Sequence, residues 1–175
     1  MKRWITAILL VLMMGQASAQ ELKIRDIFKQ MPDSLIPYLS QNDRLDFIDF
    51  MDSNMKAEVT NMLGGKSEMI TLADDSLSIR MNPSLKTDML LLPLAEPVDS
   101  FNQVVVVIET FYTDSIYGES NVFYYAPTWQ LLKNEPILSE DQKQRIQKHT
   151  LQNLFKRDED FINKHYNYAI FSSIF

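Results

Sequence analysis

Cysteine is absent from all 175 residues. That excludes disulfides, thiolate metal sites, a cysteine nucleophile and the lipidated cysteine that anchors a bacterial lipoprotein. Glycine is almost as scarce: the chain has 4, Gly15, Gly64, Gly65 and Gly118. Loops that cradle phosphates need glycines so that backbone N–H groups can approach the ligand, and no Walker loop, dinucleotide fingerprint or G-x-S-x-G elbow is present. The usual nucleotide-dependent enzymes are therefore excluded. Basic residues are few and scattered, with no run of Lys or Arg longer than two, so the clustered patch that nucleic acid requires is missing. The only histidines, His149 and His165, stand sixteen apart and belong to no H-E-x-x-H motif, which makes each a surface or satisfied side chain rather than a zinc ligand.

What the chain does have begins at its N-terminus. Lys2 and Arg3 precede an apolar run from Trp4 to Met14, broken only by Thr6, and Ala17-Ser18-Ala19 follows. This is the order of a cleavable signal peptide, and the run is too short to span a bilayer. The sequence therefore predicts a signal peptide over 1–19 and one domain over 20–175. The mature protein is expected to be exported, periplasmic or extracellular, and not a lipoprotein; no second apolar run offers a membrane segment. Of the 17 Lys and Arg, cleavage removes Lys2 and Arg3, and it removes none of the 23 acids, so the formal charge moves from −6 to −8.

Periodicity divides the mature chain into three parts. Ile27, Phe28 and Met31 mark a short helix that Pro32 stops, followed by a packed connector at Leu35, Ile36 and Tyr38. A long helix is predicted next, from Ser40–Asp43 as a capping box to Gly64-Gly65 as its end. Its stripe is Leu45, Ile48, Met51, Met55, Val59 and Met62. The period then drops to two. Strands are predicted over 68–73, 76–82, 88–94, 103–112 and 121–126, with turns at Asp74-Asp75 and at Tyr117–Ser120. Val104 to Ile108 is apolar on both faces, which marks a central strand. Ser139–Gln142 is a second capping box, opening a helix with Ile146, Thr150, Leu151, Leu154 and Phe155 on its apolar side. The tail 161–175 reads equally as more helix or as a last strand. The expected fold is α+β: N-terminal helices, an antiparallel meander of about five strands, and a C-terminal helix packed on one face.

Few residues suggest chemistry. Asp43, Asp46, Asp49 and Asp52 recur every three positions, a pattern that a calcium site or a solvated helix face explains equally, and the solvated face is the simpler account. Asp74-Asp75-Ser76 lacks the spacing of a calcium loop. No cofactor, metal or catalytic residue is implied. The aromatic residues stand out instead: Phe111, Phe123, Tyr125 and Trp129 fall on or just beyond two neighbouring strands, beside Glu109. Either they form a binding surface with a polar rim, or the aromatic tail folds over them as core.

The stretches KIRDIFKQMPDSLIPYLSQNDRLDFIDFMDS, SLSIRMNPSLKTDMLLLPL and NVFYYAPTWQLL resemble a family of small exported proteins of unknown function from Gram-negative gut anaerobes. The resemblance implies the same compartment and a single α+β domain, and it brings no substrate. The residues favour a non-enzymatic binding or interaction module of the cell envelope, with an envelope protein or a glycan as partner. The alternative is a small hydrolase whose carboxylates act on an extracellular polymer. The signal-peptide reading predicts a mature N-terminus at Gln20. Intact-mass measurement of protein from its native host checks this, and a mass retaining residues 1–19 refutes it.

Overall fold

The computed structural model describes residues 22–98, 100–112 and 118–154. The elements run α1 (Ile24–Lys29), a 3-10 turn (Asp33–Leu35), α2 (Gln41–Asp52), β1 (Glu58–Thr60), β2 (Lys66–Leu72), β3 (Ser76–Asn82), β4 (Leu85–Val98), β5 (Phe101–Tyr112), β6 (Gly118–Tyr125) and α3 (Glu140–Leu154). The strands form one antiparallel sheet in the order β1-β2-β3-β4-β5-β6, so each strand pairs with the next in sequence. That is the expected α+β meander, with six strands rather than about five.

The long helix divides where the sequence reading kept it whole. Ser40 caps α2 as expected: its Oγ accepts the Asp43 N–H at 3.2 Å while Asp43 Oδ2 accepts the Ser40 N–H at 2.8 Å. The helix then ends at Asp52 rather than Leu63. Asn54 takes a left-handed φ of 54°, the Met55 N–H bonds Phe50 O at 2.8 Å and the Asn54 N–H bonds Met51 O at 3.1 Å. This is a Schellman ending with asparagine in the usual glycine place. The remaining apolar period is coincidence: Val59 is buried on β1, whereas Met55 is 58% exposed and Met62 lies in solvent. Within α2 the expected stripe holds at Ile48, which is buried, and at Met51, which packs on the core, but Leu45 is exposed and Arg44 and Phe47 take its place on the buried face.

Gly64-Gly65 belongs to the β1–β2 hairpin. Asn61 holds that turn: its Oδ1 accepts the Leu63 and Gly65 N–H groups, both at 3.0 Å, and its Nδ2 donates to Ser67 Oγ and Met81 O. Gly64, at φ 78°, supplies the left-handed residue. Asp74-Asp75 is a turn between strands as expected, with the Ala73 N–H on Ser76 O at 2.8 Å. The Tyr117–Ser120 turn is displaced. Gly118, Glu119 and Ser120 pair with Tyr112, Phe111 and Thr110 as strand rather than turn, and Tyr117 lies outside the described residues.

Both faces of the centre of the sheet are covered. Val105, Val107, Met89, Leu91, Leu77 and Ile79 pack against Ile24, Ile27, Phe28, Phe47 and Ile48 of α1 and α2. On the opposite face Leu90, Leu92, Val104, Val106 and Ile108 pack against Leu138 and Ile146 of the C-terminal segment. The second capping box is present: the Gln142 N–H bonds Ser139 Oγ at 3.3 Å and the Ser139 N–H bonds Gln142 Oε1 at 2.8 Å. Phe47→Ala should therefore cost about 3–5 kcal/mol. Met55→Ala, in solvent, should change stability by less than about 0.5 kcal/mol. Urea melts of the two variants check this, and equal losses would return Met55 to the core.

Candidate functional site

The helices α1 and α2 lie over β1 to β4 and reach Val105 and Val107 of β5, while α3 lies over β4, β5 and β6 on the opposite face. Side chains alternate along β5, so Val105, Val107, Glu109 and Phe111 share the α1/α2 face. The register sets Tyr125 opposite Val105, Phe123 opposite Val107, Asn121 opposite Glu109 and Glu119 opposite Phe111. Tyr125 and Phe123 on β6 and Glu109 and Phe111 on β5 thus make a diagonal row. Along β5 Glu109 stands between Val107 and Phe111, about 7 Å from each; directly across from it are Thr87 of β4 and Asn121 of β6, with Phe123 on the diagonal.

Exposure varies along that row. Phe111 is 41% exposed, and Phe123 and Tyr125 are partly buried against the core. Trp129 is different. It is only 7% exposed, and its Nε1 donates to Ile27 O of α1 at 2.9 Å, which satisfies a carbonyl at the end of that helix. Its ring leans on Tyr125 with centroids 5.7 Å apart. The turn Ala126–Trp129, closed by the Trp129 N–H on Ala126 O at 2.8 Å with Pro127 at its second position, holds Trp129 at φ 67°. A bulky residue takes that conformation only when its surroundings compel it. Trp129 is therefore not the exposed centre of a surface; it ties the end of β6 to α1 and stiffens Tyr125 from behind. The aromatic tail expected as the other cover, 161–175, lies outside the described residues.

Glu109 is half-buried. Among the described residues it makes no hydrogen bond or ion pair, and burial alone pushes its carboxyl above the ordinary range. The Tyr125 hydroxyl is raised as well, first by burial and then by the neighbouring Glu109 charge. No Lys or Arg occupies this face of β5 or β6: its residues are Phe101, Gln103, Val105, Val107, Glu109, Phe111, Glu119, Asn121, Phe123 and Tyr125.

The opposite face gathers a second group that the sequence reading missed. Asp88 is fully buried, and Lys86 Nζ reaches both its oxygens at 2.9 and 3.0 Å. His149 Nδ1 of α3 stands 3.9 Å from Asp88 Oδ1. Cross-strand partners continue the polar row: Glu58, Glu68, Arg80, Lys86, Thr110 and Ser120 follow one another across all six strands. Arg80 bonds Glu68 at 3.0 Å, and Thr110 and Ser120 share a hydrogen bond of 2.7 Å. One signal was available in the sequence, since Asp88 alternates in phase with Leu90 and Leu92 and so had to enter the same covered face. His149 had none.

The acids of α2 find ordinary employment. Asp43 caps, Asp52 takes a forked pair from Arg25 at 3.0 Å, and Asp46 and Asp49 are exposed. Among the described residues no group of three or more His, Cys, Asp or Glu could hold a metal ion, and no helix is long and apolar enough to cross a membrane. Because Trp129 is buried and bonded, Trp129→Ala should cost about 3–5 kcal/mol, read as a shift of the urea midpoint. A variant as stable as the wild type would put the ring back in solvent.

No curated protein matches the chain. Its fold is similar to that of a solved domain of an uncharacterized protein from Porphyromonas gingivalis W83, at a TM-score of 0.52 and 20% identity, covering 67% of this chain and 57% of that one. The chain thus spans a little over half the length of that domain, and likeness at this identity shows the fold alone. A family model described as protein of unknown function (DUF3256) matches residues 15–170, and the chain belongs to that family.

Proposed function

We propose that the protein is an exported, non-enzymatic binding module that engages its partner through the row Tyr125, Phe123, Glu109 and Phe111 on β5 and β6. One observation carries this reading: Glu109 is half-buried beside Phe111, across from Thr87 and Asn121, without a hydrogen-bond or ion-pair partner among the described residues. Desolvating a carboxylate without compensation costs stability. A group kept at such a cost is explained by what it binds. The ring of Phe111, in solvent next to it, adds the kind of aromatic contact that anchors interfaces, and Trp129 fixes the platform from beneath.

The hydrolase alternative needs two acids converging on one substrate. Asp88, fully buried, and Glu109, half-buried, sit on opposite faces of the sheet. Asp88 already holds Lys86, which suits an ion pair locking the α3 face better than proton transfer.

The binding reading is tested by placing a photo-crosslinking residue at Phe111 in the protein expressed in its native host. Leu63, in solvent on the β1–β2 hairpin at the other edge of the sheet, provides the control position. A crosslinked adduct of defined mass at 111 and not at 63 is expected. Adducts at both positions, or at neither, would remove β5–β6 as the contact surface.

A further inference from the structure

We infer that the partner at this surface is a protein segment presenting a cationic side chain, lysine or arginine, whose head pairs with Glu109 beside the ring of Phe111. This rests on the proposed binding role of the β5–β6 row. Three features of that row converge on a cation. The first is charge: this face of β5 and β6 carries Glu109 and Glu119 and no basic residue, in a chain of formal charge −6. The second is chemistry. An ammonium or guanidinium group is attracted both to a carboxylate and to the faces of aromatic rings, and the attraction strengthens where water is partly excluded. Here Phe111 is the next side chain on the same face of β5, about 7 Å along the strand, and Phe123 stands on the diagonal of β6. The third is that its burial penalty is unmet among the described residues: the Glu109 carboxyl is raised by desolvation with no opposing hydrogen bond or ion pair.

Elsewhere the protein treats its less solvated charges differently. Arg44 is held by Asp33 Oδ1 at 2.8 Å, Leu39 O at 3.0 Å and Met31 O at 2.6 Å, and Asp88 is closed by Lys86. The position also suits an extended peptide. Among the described residues β6 is the last strand of the sheet, and only its end near Tyr125 is capped, by the Leu132 N–H on Tyr124 O at 2.9 Å and the bridge to Leu131. A strand added along the rest of β6 would carry alternate side chains over this face. A lysine there could reach across Asn121 to Glu109. A neutral glycan would use the rings but would leave the carboxylate charge unmatched.

The experiment titrates the full mature protein with octalysine, with an octaglutamine peptide of the same length, and with maltohexaose and chitohexaose. Each is followed by calorimetry at low and at physiological salt. Octalysine should bind more tightly than octaglutamine, and more weakly as salt rises. Glu109→Gln and Phe111→Ala should each weaken octalysine by about tenfold or more, whereas Glu96→Gln, an exposed acid distant on β4, should leave it unchanged. Folding is monitored separately. Glu109 has a raised native pKa, so its contribution to stability falls as pH rises from the ordinary glutamate range through its native value. Glu109→Gln should therefore melt no lower than the wild type at pH 7, and lost binding cannot then be misfolding. Equal octalysine affinity in the wild type and Glu109→Gln overturns the inference as general charge attraction. Binding of an oligosaccharide that depends on Phe111, with none of octalysine, overturns the cationic partner and leaves the binding surface standing. If no probe binds and the crosslinker at 111 captures nothing, both readings fall together.

Discussion

The five residues Val104 to Ile108 are apolar on both faces of β5, and the architecture follows from the need to cover them twice. Each fully buried aliphatic side chain contributes about 1.5–3 kcal/mol, so neither face of this strand can be left to water. Val105 and Val107 are covered from one side by α1 and α2, and Val104, Val106 and Ile108 from the other by Leu138 and Ile146. β4 repeats the arrangement, with Met89 and Leu91 on the first side and Leu90 and Leu92 on the second. Helices at the two ends of the chain therefore do complementary work on opposite faces.

Polar side chains fix how those layers sit. Arg44 reaches from α2 to the carbonyls of Met31 and Leu39 and to Asp33, so the connector between the two helices closes around one guanidinium. Asn61 does the same for the first hairpin through four hydrogen bonds. Trp129 joins the far end of the sheet to α1 across 102 residues of sequence with a single N–H. Each places a side-chain donor or acceptor on backbone groups at a chain reversal, where polar groups lost to the core need partners.

Against this background Glu109 and Asp88 form an informative contrast. Both sit on interior strands, one on each face, and both lose hydration. Asp88 is matched by Lys86, with His149 close by. Glu109 stands beside Phe111 and across from Thr87 and Asn121, with no hydrogen-bond or ion-pair partner among the described residues. The first arrangement closes a structure, and the second suits a surface that completes itself on another molecule.

Local signals in the sequence determined much of this protein. Alternation over Ser76–Asn82 and the apolar block of β5 placed strands correctly, and both capping boxes, at Ser40 and at Ser139, are present. Those features are legible because caps and alternation act within a few residues of chain. The order of the meander followed, since short turns join only neighbouring strands. What tertiary structure alone decided was where periodic patterns stop and which faces are covered. Met55 and Met62 continue a helical period on paper, but Asn54 turns the chain left-handed and the segment pairs as β1 instead. Of the four aromatic residues singled out, the structure keeps Phe111, Phe123 and Tyr125 on one face beside Glu109 and withdraws Trp129 beneath α1. No local pattern carries that distinction, because burial is set by whichever distant segment packs across the strand, and here that segment is a helix near the opposite end of the chain.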